Sequence, residues 1–149
     1  MTRSEKIKTT GGTSTSLKVL ARLVEDEEWI VRCNVAGNTS TPPEVLVELS
    51  RDESRSVRRN VAGNPSTPVE VLAQLVRDED YNVRWRVADN TSTPPKILDQ
   101  LSRDANWSVR LRIAENTSTP LDVLLILMVD DYESVRGEAE RQLNRRLTP

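Results

Sequence analysis

NTSTPPEVLVELSRDESRSVRRNVAG, residues 38–63, decides the fold, because three further stretches repeat it in the same register. They are NPSTPVEVLAQLVRDEDYNVRWRVAD (64–89), NTSTPPKILDQLSRDANWSVRLRIAE (90–115) and NTSTPLDVLLILMVDDYESVRGEAER (116–141). Asn38, Asn64, Asn90 and Asn116 open the copies, each 26 residues after the last. One step back, GTSTSLKVLARLVEDEEWIVRCNVAG begins at Gly12 and fits without a gap, which makes five copies with a worn first and last. A fixed period of this size marks a stacked array.

Each copy holds two apolar patterns. Val45, Leu46 and Leu49 recur as Val71, Leu72, Leu75, as Ile97, Leu98, Leu101 and as Val123, Leu124, Leu127, the stripe of one helix. Thr41, Thr67, Thr93 and Thr119 precede it, each followed by Pro, which suits the first helical position. Thr41 with Glu44 and Thr67 with Glu70 read as capping boxes. Val57 and Val61 recur as Val31 and Val35, Val83 and Val87, and Val109 and Ile113, a shorter helix with Ser56, Asn82, Ser108 and Ser134 placed as N-caps. Gly12 standing where its siblings have Asn suggests a left-handed C-cap at that position. No copy of this length can bury its stripe alone, so neighbours must stack. The expected fold is an all-α solenoid of five helix–turn–short-helix repeats over residues 12–143, with a disordered or capping segment at 1–11 and a tail at 144–149.

Composition narrows the function. Leu, Ile and Val form about a quarter of the 149 residues, above the roughly one-fifth below which a chain is expected to stay disordered. One cysteine and no histidine exclude an internal disulfide, a Cys/His zinc site and the His-based triads, so no catalytic residue, metal or cofactor is assigned and an enzyme is not expected. A formal charge of −2 leaves no net basic field for nucleic acid or a membrane surface. No apolar run has the length of a membrane span, and the first residues lack the apolar core of a signal peptide, so a soluble cytoplasmic protein is expected.

The pattern N-x-S-T-P-x-x-V-L-x-x-L followed by D-x-x-x-x-V-R-x-x-V-A, running over about residues 12–143, closely resembles the bacterial leucine-rich repeat variant family. The resemblance implies helices alternating with shorter, often 3₁₀, helices in a right-handed superhelix related to armadillo and HEAT repeats, and no enzymatic activity. Asp52 and Arg58, Asp78 and Arg84, and Asp104 and Arg110 also resemble the HEAT pattern in which such pairs form a ladder between neighbouring repeats. Some family members carry a Cys-rich iron–sulfur segment, which Cys33 alone cannot reproduce.

A feature present in every copy serves stacking, so function is sought where copies differ. With Val57 and Val61 inward, residues 56, 59, 60 and 63 face out, which puts Cys33, Arg59, Trp85 and Leu111 on one outward line and Asn60, Arg86 and Arg112 beside it. Arg59, Trp85, Arg86, Leu111 and Arg112 are residue types that dominate protein recognition, and a protein or peptide partner is the first reading. Nucleic acid on the same Arg/Trp stripe is the second, opposed by nearby acids such as Asp78, Glu79, Asp80 and Asp89. Trp29, Tyr81 and Trp107 fit either a binding row or covers for the seams between repeats. In the last copy the outward positions become Leu125, Ile126, Met128 and Val129. A terminal repeat should be polar outside, so either the tail lays Leu143 and Leu147 over this patch or a second copy docks there as a homodimer.

Overall fold

A computed structural model describes residues 1–10 and 17–147; the proposed glycine cap at Gly12 and the start of the first copy lie outside the described residues. Eleven helices follow in chain order among the described residues: α1 (Arg3–Thr10), α2 (Leu17–Leu23), α3 (Trp29–Gly37), α4 (Pro43–Leu49), α5 (Arg55–Gly63), α6 (Val69–Leu75), α7 (Tyr81–Asp89), α8 (Pro95–Leu101), α9 (Trp107–Glu115), α10 (Leu121–Leu127) and α11 (Glu133–Leu147). No strand occurs among the described residues. The odd-numbered helices from α3 to α11 pack directly on one another along the stack, while the even-numbered ones pack mainly on their flanking odd neighbours. The odd helices therefore form the more closely stacked layer, called the inner face below.

Both stripes are buried as their periodicity requires. Val57, Val61 and Ala62 meet Val71, Leu72 and Leu75, and the equivalents join them in one continuous core from Leu20 to Leu143. Burying each such Val or Leu contributes roughly 1.5–3 kcal/mol. The polar exterior of the even helices is also as read, with Glu44 and Glu48 exposed on α4 and Arg51 exposed just after it.

Several local expectations need correction. The helix taken as the shorter one is the longer: α5, α7 and α9 have 9 residues and α4, α6, α8 and α10 have 7. Ser56, Asn82 and Ser108 lie inside the first turn. The N-caps are two residues earlier, where the side chains of Asp80 and Asn106 accept from the Asn82 and Ser108 amides. The capping boxes do not form. Pro42 and Pro68 are themselves the N-caps, and the Thr41 and Thr67 hydroxyls turn back to donate to the carbonyls of Val35 (2.6 Å) and Val61 (2.5 Å), closing the turn between helices.

The repeat asparagine is not left-handed. Asn38, Asn64, Asn90 and Asn116 are extended, with φ between −77° and −70°, because the side chain has other work. The Asn64 amide nitrogen donates to the carbonyls of Ala36 (2.8 Å), near the end of α3, and of Asn38 (2.9 Å), and its oxygen accepts from the Ser66 amide (2.9 Å). Asn90 repeats this toward Ala62 and Asn64, and Asn116 toward Ala88. Helix-end carbonyls that would otherwise be orphaned are thus satisfied by the asparagine that follows the next odd helix.

A charged ladder runs parallel to it. Arg32, Arg58, Arg84 and Arg110 each grip the aspartate 20 residues on, Asp52, Asp78, Asp104 and Asp130, through Nε (2.6–2.7 Å) and Nη2 (3.0–3.1 Å). The six-residue pairs seen in the sequence meet differently: Arg58 Nη1 donates to the main-chain carbonyl of Asp52 (2.8 Å). At the start of the stack α1 stands in for a preceding repeat. Lys6, 26 residues before Arg32, donates to Asp26 (2.6 Å), and the Thr10 carbonyl accepts from Asn38 as Ala36 does from Asn64.

Candidate binding surface

The inner face is built by the odd helices. Stacking places a residue four from the end of one helix over the last residue of the helix before it. Asn60 lies over Gly37 and Arg86 over Gly63, where a Cβ would come within 3.1 Å and 3.3 Å of those side chains. One copy further on the same relation becomes ionic: Arg112 lies against Asp89, and also pairs with Glu115 (2.8 Å). Asp89 in addition accepts from Arg86 (3.0 Å). Burial works against the charge on Arg112, but its bonds to Glu115 and Asp89 outweigh that and raise its pKa further.

Trp85 is half-buried and rests on the core, with the Arg86 and Arg112 guanidinium carbons 5.8 Å and 5.0 Å from its ring centroid, within cation–π range. Beside it opens a cleft of about 430 Å³ lined by Arg59, Tyr81, Asn82, Trp85, Arg86 and Ser108. Its lining has two guanidinium groups and two aromatic rings and no carboxylate. Arg59 is exposed and forms no ion pair among the described residues, unlike Arg86 and Arg112. A second cleft of similar size, between α1 and α2, contains Lys6 and Asp26 already joined to each other.

The residues singled out from the sequence therefore divide. Arg59, Trp85 and Arg86 line one cleft, and Arg112 supports its Trp85 wall. Leu111 is partly buried against the core and lies outside the cleft lining. Cys33, placed outward by its register, is buried: its thiol donates to the Ser56 carbonyl (3.6 Å), its sulfur accepts from Asn60 (3.1 Å), and burial pushes its pKa up. Tyr81 joins the cleft, whereas Trp107 stacks on Tyr132 across a seam, with centroids 5.5 Å apart, and Trp29 stays half-exposed. Asp89 is the member that sequence reading missed as a partner of the stripe. Its signal was the change of Gly37 and Gly63 to Asp89, with an Arg, Arg112, at the facing position of the next copy.

Leu125, Ile126, Met128 and Val129 are all exposed. The tail does continue α11, and it buries Leu143, but Leu147 points away at 67% exposure. Arg146 instead ties α11 to the carbonyls of Thr117 (2.7 Å) and Thr119 (2.5 Å). Among the described residues no three His, Cys, Asp or Glu side chains gather as metal ligands, and no helix is long and apolar enough to cross a membrane.

The leucine rich repeat variant family model matches residues 29–54 and 55–80. Among solved structures the chain is similar to one described as a leucine-rich repeat variant with a novel repetitive protein structural motif. Identity is 29% and the TM-score 0.76 over 95% of this chain, which spans 56% of that protein's length. Two engineered proteins of known crystal structure share the fold at 19% and 18% identity, both with a TM-score of 0.54, over 94% and 97% of this chain and 86% and 90% of theirs. No curated protein matches the chain.

Proposed function

We propose that this solenoid, whose copies are leucine-rich repeat variant repeats, is a non-catalytic scaffold that binds an acidic segment of another protein along its inner face. One observation carries this reading: the cleft between α5, α7 and α9 combines Arg59, which has no ion pair among the described residues, with Tyr81 and Trp85 and has no acid in its lining. A carboxylate side chain reaching Arg59 would meet an uncompensated cation, and the rings would cover its apolar stem or an adjacent aromatic. Aromatic and arginine side chains in a shared depression supply most of the affinity in such contacts.

The nucleic-acid alternative needs a run of free cations. Asp89 and Glu115 neutralise Arg86 and Arg112, and Arg55 is held by Asp80 at 3.0 Å, so among the described residues the basic stripe shrinks to Arg59. An array of Glu- and Asp-rich peptides with and without Tyr or Phe, probed beside poly(U), tests the choice. Binding of acidic peptides that is lost in Trp85→Ala and Arg59→Glu supports the scaffold reading. Retention of poly(U) with a steep log-linear salt dependence overturns it.

A further inference from the structure

Among the described residues the ladder rung of the fifth copy is unfilled. Arg136 occupies the ladder register, and its Nη1 donates to the carbonyls of Asp130 (2.5 Å) and Asp131 (3.0 Å), as Arg58 does to Asp52 and Glu53. Every preceding ladder arginine then closes on a carboxylate of the next copy; Arg136 has none among the described residues. Met128 lies at the position of Ser50, Val76 and Ser102, which are buried at 3–5% exposure under the following copy, yet it is 38% exposed. Around it Leu125, Ile126 and Val129 replace residues that are mostly polar in the sibling helices, and Val129 is 82% exposed.

Head-to-tail stacking would complete this rung with Asp26 of another molecule, but Asp26 is already engaged by Lys6 and covered by α1. The open end therefore has no complement at the opposite end of a second copy. It does have one in itself. Asp131 and Glu133 are exposed on the same end and form no ion pair among the described residues, so the surface carries an open guanidinium, open carboxylates and an apolar centre. A two-fold axis brings such a patch onto its own image with unlike charges opposed.

We propose that the chain forms a homodimer through this end, with Leu125, Ile126, Met128 and Val129 meeting their symmetry mates and Arg136 of each protomer facing Asp131 of the other. The contact uses none of the inner-face cleft and leaves it free in both copies.

Light scattering on protein at high micromolar concentration should give twice the 16.8 kDa chain mass, and Ile126→Glu with Val129→Arg should give the single mass with an unchanged helical spectrum. Charge exchange tests the symmetry. Asp131→Arg and Arg136→Asp each place like charges across the axis, so each protein alone should dissociate at least tenfold more readily. An equimolar mixture opposes unlike charges at both contacts and should recover the dimer. Wild type at the single mass, a mixture no more associated than its components, or a dimer dissolved by Trp85→Ala would each overturn the proposal.

Discussion

At the residue scale two polar ladders hold the copies in register, and they differ in how readable they were. The Asp and Arg of the charged ladder recur at fixed places, so their stacking role could be read directly. The asparagine recurs as faithfully, but its amide reaches back 28 residues to a helix end, and nothing in local spacing gives that direction; helix-end chemistry alone pointed to a left-handed cap. Both roles can be measured. Asp78 accepts from Arg58 twice and from the Asp80 amide, with only 6% of its side chain exposed, whereas Asp99 has an exposed pairing with Arg103. Asp78→Ala should cost about 2–3 kcal/mol, between the roughly 3–5 of a broken buried pair and the roughly 0–1 of a surface one. Asp99→Ala should cost less than about 0.5 kcal/mol, and urea midpoints separate the two. Asn90→Asp keeps the shape but turns an oxygen toward the carbonyls of Ala62 and Asn64. That carboxyl should have a raised folded-state pKa, so its penalty is largest at neutral pH and shrinks as pH falls and it regains a proton to donate. Stability relative to wild type, compared at pH 7 and pH 4.5, checks the sign.

At the element scale helix identity was legible and helix ends were not. The apolar periodicity of 3.6 was met in every copy, but Ser56, Asn82 and Ser108 looked like caps only because they precede a buried valine. The true start lies two residues earlier, where each ladder aspartate also closes its turn onto a main-chain amide, as Asp52 does to Ser54 (2.8 Å). A helical wheel likewise placed Cys33, Trp85 and Leu111 outside, because a wheel sees one helix and not the neighbour stacked against its flank. The same interlock yields a prediction about the cleft. Gly63 lies under Arg86 where Asp89 lies under Arg112. Gly63→Asp should give Arg86 a carboxylate in the preceding copy. Stability should stay within about 1 kcal/mol, since leaving glycine helps a helix while an acid at its C-terminus opposes the dipole. The cleft loses net positive charge, and affinity for acidic peptides, read by titration, should fall several-fold.

At the scale of the whole molecule the stack behaves as a row of like units, with α1 standing in for a repeat before the first of them. The period announced the row, while α1 as a stand-in repeat was hidden because Lys6 replaces the ladder arginine and Thr10 the alanine. Acid acts on both ends of the ladder: Lys6 holds the Asp26 carboxyl below its usual 3.8, and Arg110 does the same for Asp130. Their contribution is present above that unfolded value and disappears as pH falls through the lower folded ones, so melting temperature should be flat from neutral pH to about 5 and fall below about 4. Length provides the last test. Duplicating residues 64–89 in place inserts one unit whose Asn, Thr, Asp and Arg meet the same partners on both sides, and no ladder is interrupted. If stability is a sum over units and their interfaces, the six-copy chain should unfold at higher urea with a slope larger by about one-fifth, in proportion to the added buried surface. A lower midpoint or a second transition would show that the ends, rather than the repeated interface, govern the fold.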